Sequence, residues 1–149
     1  MVRRLLAVVA VMMFGVSVAA AQSCPDKIKE RQTLMKRSGD EAKAGAAMVR
    51  GAAPYDAAKV KEIFAAFQDK ADKLPTLFPD CSKTGGDTAA RPEIWENIDD
   101  FKARFAKFGA DAKAAAESVK DLDSFKAAFG GIGKNDCSGC HEKYRVKKT

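Results

Sequence analysis

Histidine is nearly absent from this chain of 149 residues: a single one stands at position 141. Scattered surface histidines are the usual source of accidental motif matches, and here there are none to produce them. Alternation of period two is equally hard to find, which gives a β-sheet no support. No internal repeat is visible outside Ala-rich stretches. Blocks of like charge are missing too, because 26 basic and 20 acidic residues are interspersed along the chain. The net charge of +6 is therefore spread rather than clustered, which excludes a nucleic-acid binder built on a basic patch. The length suits one compact domain.

What the sequence does have begins with an apolar leader. Arg3 and Arg4 precede an apolar run from Leu5 to Val18, and Ala19-Ala20-Ala21 follows. This is the layout of a secretory signal peptide over residues 1–21, cleaved before Gln22, which leaves residues 22–149 as the mature domain. A retained membrane anchor is the alternative, but the run is short for about 30 Å of hydrocarbon. A lipoprotein reading would lipidate Cys24, and the bulky polar Gln22 suits that poorly. Export into the periplasm is the expectation.

In the mature part, apolar residues recur at helical spacing. Ile28, Met35, Ala42 and Val49 mark a first helix, and Val60, Ile63, Phe64, Phe67, Ala71 and Leu74 a second. Ile94, Trp95, Ile98, Phe101, Phe105, Phe108 and Ala112 mark a third, and Leu122, Phe125, Phe129 and Ile132 a fourth. Pro54 breaks the first connection, and Asp56 is placed to cap the second helix. Leu74-Pro75 ends that helix, and a long connection with Gly85-Gly86 at its middle runs from Pro79 to Pro92. Asp121 caps the fourth. Gly130, Gly131 and Gly133 weaken it and read as a fray, a kink or room for a large group against the backbone. The tail Arg145-Val146-Lys147-Lys148 reads as a solvated helix end. The fold expected is all-α, an antiparallel four-helix bundle whose interior offers space for a flat cofactor.

The chemistry sits at Cys137-Ser138-Gly139-Cys140-His141, the c-type haem attachment motif. Two thiols three residues apart share one face of a helical turn, each able to join one porphyrin vinyl group. His141 then presents its imidazole to the iron. A thioredoxin-like dithiol would need a βαβ context that the helical pattern denies. A zinc site would need two further ligands, for which only Cys24 and Cys81 are available. A plain Cys137–Cys140 disulfide would leave His141 without a role. Cys24 opens the first helix and Cys81 follows the end of the second, ends that adjoin in an antiparallel pair. A Cys24–Cys81 disulfide is the expectation, with free or intermolecularly paired thiols as the alternative.

With these residues in view, the chain resembles the class II c-type cytochromes, the cytochrome c-prime and cytochrome c-556 group, across the mature region. The similarity rests on Arg31-Gln32-Thr33-Leu34-Met35, Ala53-Pro54-Tyr55-Asp56-Ala57-Ala58, Leu74-Pro75 and Leu77-Phe78-Pro79. It extends through Gly85-Gly86-Asp87, Arg91-Pro92-Glu93-Ile94-Trp95 and the C-terminal motif with Tyr144-Arg145. A position for the motif near the C-terminus is more specific than the motif itself. The resemblance implies one covalent haem c between the helices, near the C-terminal end of the last one, and often a homodimer. It implies that Arg31 and Gln32 lie beside the haem edge, Arg31 near a propionate. Asp87 and Thr88 would approach the same edge, and Arg145 would stand near the proximal ligand. Met35 would face the iron from the side opposite His141, ligating it as in the c-556 branch or packing over an open site as in the c-prime branch.

Two functions follow from that residue. With His141 and Met35 both as iron ligands, the chain is an electron carrier that meets periplasmic or membrane-bound redox proteins. With Met35 unligated, the iron would take nitric oxide or carbon monoxide. No second histidine is available as a distal acid–base group, so the expectation is a protein that is not an enzyme.

Overall fold

The computed structural model describes residues 23–147, so the leader and its cleavage site lie outside the described residues. Helix α1 spans Cys24–Val49. Ser23 caps it: its hydroxyl accepts the Asp26 N–H while the Asp26 carboxylate accepts the Ser23 N–H. Such a reciprocal box satisfies two end donors at once. Gly51, with φ at 72°, turns the chain in the left-handed region that a side chain would disfavour. Helix α2, Ala57–Lys73, starts where the Asp56 carboxylate accepts the N–H groups of Ala58 (2.8 Å) and Lys59 (3.1 Å). Pro75 then tightens the chain into a short 3-10 turn over Leu74–Leu77.

The long connection closes on itself through a second 3-10 turn, Asp80–Ser82, and through Gly85 and Gly86, both with positive φ. It leads into a one-turn helix α3, Glu93–Glu96, and then α4, Ile98–Ser118. The third apolar run is therefore two helices rather than one. Asn97, at φ −130° and ψ 46°, breaks the path between them. The break lets the Trp95 indole N–H reach back to the carbonyls of Phe78 (3.0 Å) and Pro79 (3.3 Å). Helix α5, Leu122–Ile132, opens on a second capping box between Asp121 and Ser124. It passes into a π-helical segment, Gly133–Ser138, and resumes as α6, Gly139–Tyr144. The three glycines thus mark a widening of one continuous helical path, not its end.

The four long helical paths form a ring: α1 packs on α2, α2 on α4, α4 on α5 and α5 back on α1. This is the antiparallel four-helix bundle. Its centre is aromatic. Phe64, Phe67 and Phe125 are essentially solvent-free, and Phe64 meets Phe67 and Phe125 edge-on at 6.3 and 5.9 Å. A buried aromatic pair of this kind adds about 0.5–1.5 kcal/mol beyond area burial. Gly45 on α1 lets the Phe129 ring approach; a Cβ there would stand 2.5 Å from a ring carbon.

Two ties close the open end of the bundle. Cys24 and Cys81 are joined by a disulfide, their Cα atoms 5.8 Å apart, which couples the start of α1 to the long connection. The tail departs from its expected helical form. Arg145 is extended, and Ala90 and Arg145 form an antiparallel bridge. The Arg91 N–H reaches the Tyr144 carbonyl at 3.0 Å, and the Val146 N–H reaches the Ala89 carbonyl at 2.8 Å. Helix periodicity could not show this, because the partner strand belongs to a loop with no pattern of its own.

Candidate functional site

The chemistry-bearing residues of the C-terminal motif meet α1, α2 and α4 around one pocket that is partly open to solvent. Cys137 lies in the π-helical segment, one residue before its end, and Cys140 and His141 lie in the first turn of α6. A π-helical turn carries one residue more per turn than the α-helix, so it re-aims everything downstream of it. Here it offsets Cys137 from the register set by Phe125 and Ile132, the two buried residues of α5. From the opposite wall α1 contributes Met35, α2 contributes Lys70, and α4 contributes Arg104, Phe105 and Phe108. Asp136 completes the lining.

The electrostatics of the wall follow from burial. Burial pushes the thiols of Cys137 and Cys140 above the ordinary cysteine range, so both stay neutral. Burial also lowers His141, helped by the positive charges of Arg145 and Lys70, and keeps its imidazole unprotonated with a free lone pair. Desolvation raises the Asp136 carboxyl against the pull of Lys107, 3.1 Å away. Arg104 donates to Asp100 at 2.9 Å, and Asp100 also takes the Tyr144 hydroxyl and the Lys143 ammonium (2.9 Å). That cluster fixes α6 on α4 through Tyr144, which is buried.

Arg31 and Gln32 stand on α1 one turn before Met35, bonded to Thr88 and Asp87 of the long connection. The Arg31 guanidinium is only 4 % exposed and is held by the long connection. It donates to the carbonyls of Leu77 (3.3 Å) and Ser82 (3.1 Å) and to the hydroxyls of Ser82 (2.9 Å) and Thr88 (2.7 Å). It also lies over the Phe78 ring, 4.6 Å from its centroid. Gln32 donates to the Asp87 carbonyl at 2.5 Å. These two side chains therefore order the loop one turn before Met35. The exposed Arg145 bears on His141 through its charge, as the resemblance implied.

Lys70 and Asp136 lie outside the residues that the motif and the resemblance mark. A signal for Lys70 existed: it falls on the apolar stripe of α2, three residues after Phe67 and four before Leu74. A lysine there interrupts a buried face.

The donor set decides what the cavity can hold. Among the described residues no group of three His, Cys, Asp or Glu side chains could grip a bare ion, and Cys24 and Cys81 are bonded to each other. That removes the zinc alternative. Two neutral thiols, one neutral imidazole and a thioether on walls of Phe105 and Phe108 instead suit a flat apolar macrocycle that brings its own metal.

Comparison with known proteins agrees. Residues 26–145 match the family described as Cytochrome C'. The chain is 43% identical to a cytochrome c' of Rhodopseudomonas palustris over 146 residues, 98% of each chain. It is 39% identical to a cytochrome c-556 of Agrobacterium fabrum over 148 residues, 99% of this chain and 100% of that one. The solved structure of cytochrome c' from Rhodopseudomonas palustris superposes with a TM-score of 0.81 at 45% identity, covering 86% of this chain and all of the other. The chain belongs to the cytochrome c' family, the class II c-type cytochromes, and its cofactor is a covalently attached haem c.

Proposed function

We propose that the chain is an exported, periplasmic mono-haem electron carrier. In this reading Cys137 and Cys140 hold the haem, and His141 and Met35 are the axial ligands. The observation that carries it is the position of Met35. It is the one thioether on a cavity whose other walls bear the attachment cysteines and His141. A methionine on a helix stripe is ordinarily a packing residue, but this stripe borders the cofactor's own space. Haem supplies a one-electron iron couple, whose potential a Met/His ligand pair raises. The protein's part is to keep both ligands fixed. Arg31 and Gln32 hold the first helix against the long connection one turn from Met35. Asp100 and Tyr144 hold α6, and with it His141, against α4. A site clamped on both sides reorganises little when an electron arrives or leaves.

A second reading keeps Met35 as a packing residue and leaves the iron open to a small neutral gas. The apolar wall of Phe105 and Phe108 favours it, as does the 43% identity to a protein named cytochrome c'. Replacement of Met35 by Leu separates the two. In the electron-carrier reading the ferric wild type carries a weak sulfur-to-iron charge-transfer band, and Met35→Leu loses it and gains carbon monoxide binding. A wild type without that band, whose ferrous form binds carbon monoxide as readily as the variant, would end the ligation claim.

A further inference from the structure

Three charged side chains reach the haem cavity from outside the attachment motif's cysteines and histidine: Arg104, Asp136 and Lys70. Two of them are compensated. Arg104 is paired with Asp100 at 2.9 Å, and Asp136 with Lys107 at 3.1 Å. Lys70 differs. It is 8 % exposed, burial lowers its ammonium pKa from the ordinary lysine value, and among the described residues no carboxylate lies within ion-pairing distance. Its ammonium is held instead by ring faces, 4.4 Å from the centroid of Phe108 and 5.2 Å from that of Phe67. Rings of this kind attract a cation without neutralising it, so its field reaches into the cavity.

We infer that Lys70 tunes the haem potential: its unpaired buried charge disfavours the ferric state and makes the iron easier to reduce. The half-reaction takes up one electron, and ferric haem carries one more positive charge than ferrous haem. A cation facing the same cavity repels the ferric form more strongly, and the low polarizability of a buried wall lets that repulsion survive. Surface charges act weakly by comparison, since salt screens them within about 8 Å at physiological strength. Lys70 is thus a tuning residue that acts through its charge and not as a ligand. The inference rests on the haem cavity alone and holds with Met35 ligated or unligated.

The test is a mediated redox titration of the holoprotein as wild type, Lys70→Met and Lys70→Arg, at low and high salt. Lys70→Met keeps the length of the side chain and removes the charge; Lys70→Arg keeps the charge. Optical spectra in both oxidation states establish that the three proteins share one coordination. The midpoint potential is expected to fall in Lys70→Met, to stay near wild type in Lys70→Arg, and to keep that difference at high salt. A Lys70→Met potential equal to or above wild type overturns the inference. So does a Lys70→Arg potential that falls with it, which would make the effect one of packing. Should Lys70→Met fail to assemble with haem, Lys70→Gln replaces it with the same expected fall.

Discussion

The Arg31 guanidinium and Ser82 are joined twice, through the serine hydroxyl at 2.9 Å and its carbonyl at 3.1 Å, and both residues are buried. This pair fastens a loop without regular structure to the first helix. The loop in turn carries Cys81, and Ala89 and Arg91 within it carry the chain's C-terminal bridge. Removing one partner of such a network leaves the other partners buried and unsatisfied, which costs more than the bonds themselves contribute. Arg31→Met is expected to lose about 3 kcal/mol of stability, read from urea unfolding of the holoprotein. A loss under about 0.5 kcal/mol would mean that the loop is held by other means.

The Cys24–Cys81 disulfide closes a loop with a sequence separation of 57. Loop entropy gives such a bond about 4 kcal/mol as an upper figure, through the unfolded chain. The double variant Cys24→Ser, Cys81→Ser is expected to unfold at clearly lower temperature while its haem spectrum stays unchanged. Equal melting temperatures would contradict this account of the bond, and a changed spectrum would show that it also shapes the site.

Gly45 faces the Phe129 ring so closely that a Cβ would stand 2.5 and 2.8 Å from ring carbons. Gly45→Ala forces that ring to move, and overpacking of this kind costs about 1–3 kcal/mol. Helix propensity works the other way, favouring alanine by about 1 kcal/mol. The close approach wins if the variant is less stable in chemical denaturation. A more stable variant would show that Phe129 has room to turn.

Asp100 accepts hydrogen bonds from the Tyr144 hydroxyl, then Arg104 and Lys143, and these hold its carboxyl well below the usual carboxylate range. An acid whose pKa falls on folding stabilises the fold at pH values above its unfolded value of 3.8. That contribution disappears as pH falls below this value. Acid unfolding of Asp100→Asn should therefore start from a lower stability at neutral pH and show a shallower decline. Parallel acid profiles for the two proteins would remove Asp100 as a source of the pH dependence.

Much of this was written in the sequence, and the gaps have physical causes. The helices and their caps at Asp56 and Asp121 were legible because both follow from local spacing. The haem motif was legible because its chemistry fixes its spacing. The disulfide followed from the two helix ends adjoining. The π-helical segment was not legible: glycines loosen a helix, but sequence does not say whether it frays or widens. The tail bridge was hidden because its partner is a loop. The hold of Arg31 on the carbonyls and hydroxyls of the connection was hidden too, because that loop carries no pattern of its own. Lys70 is hard to see in the sequence because a single lysine on an apolar stripe leaves the helical period intact.

Met35 lines the cavity that also holds His141, and in the electron-carrier reading it supplies the iron's second ligand. The most direct measurement is the optical spectrum of the wild-type holoprotein, ferric and ferrous, before and after carbon monoxide. Low-spin bands in both states, unmoved by the gas, are the predicted result. High-spin bands with a large shift on carbon monoxide would contradict it and give the gas-binding reading the lead.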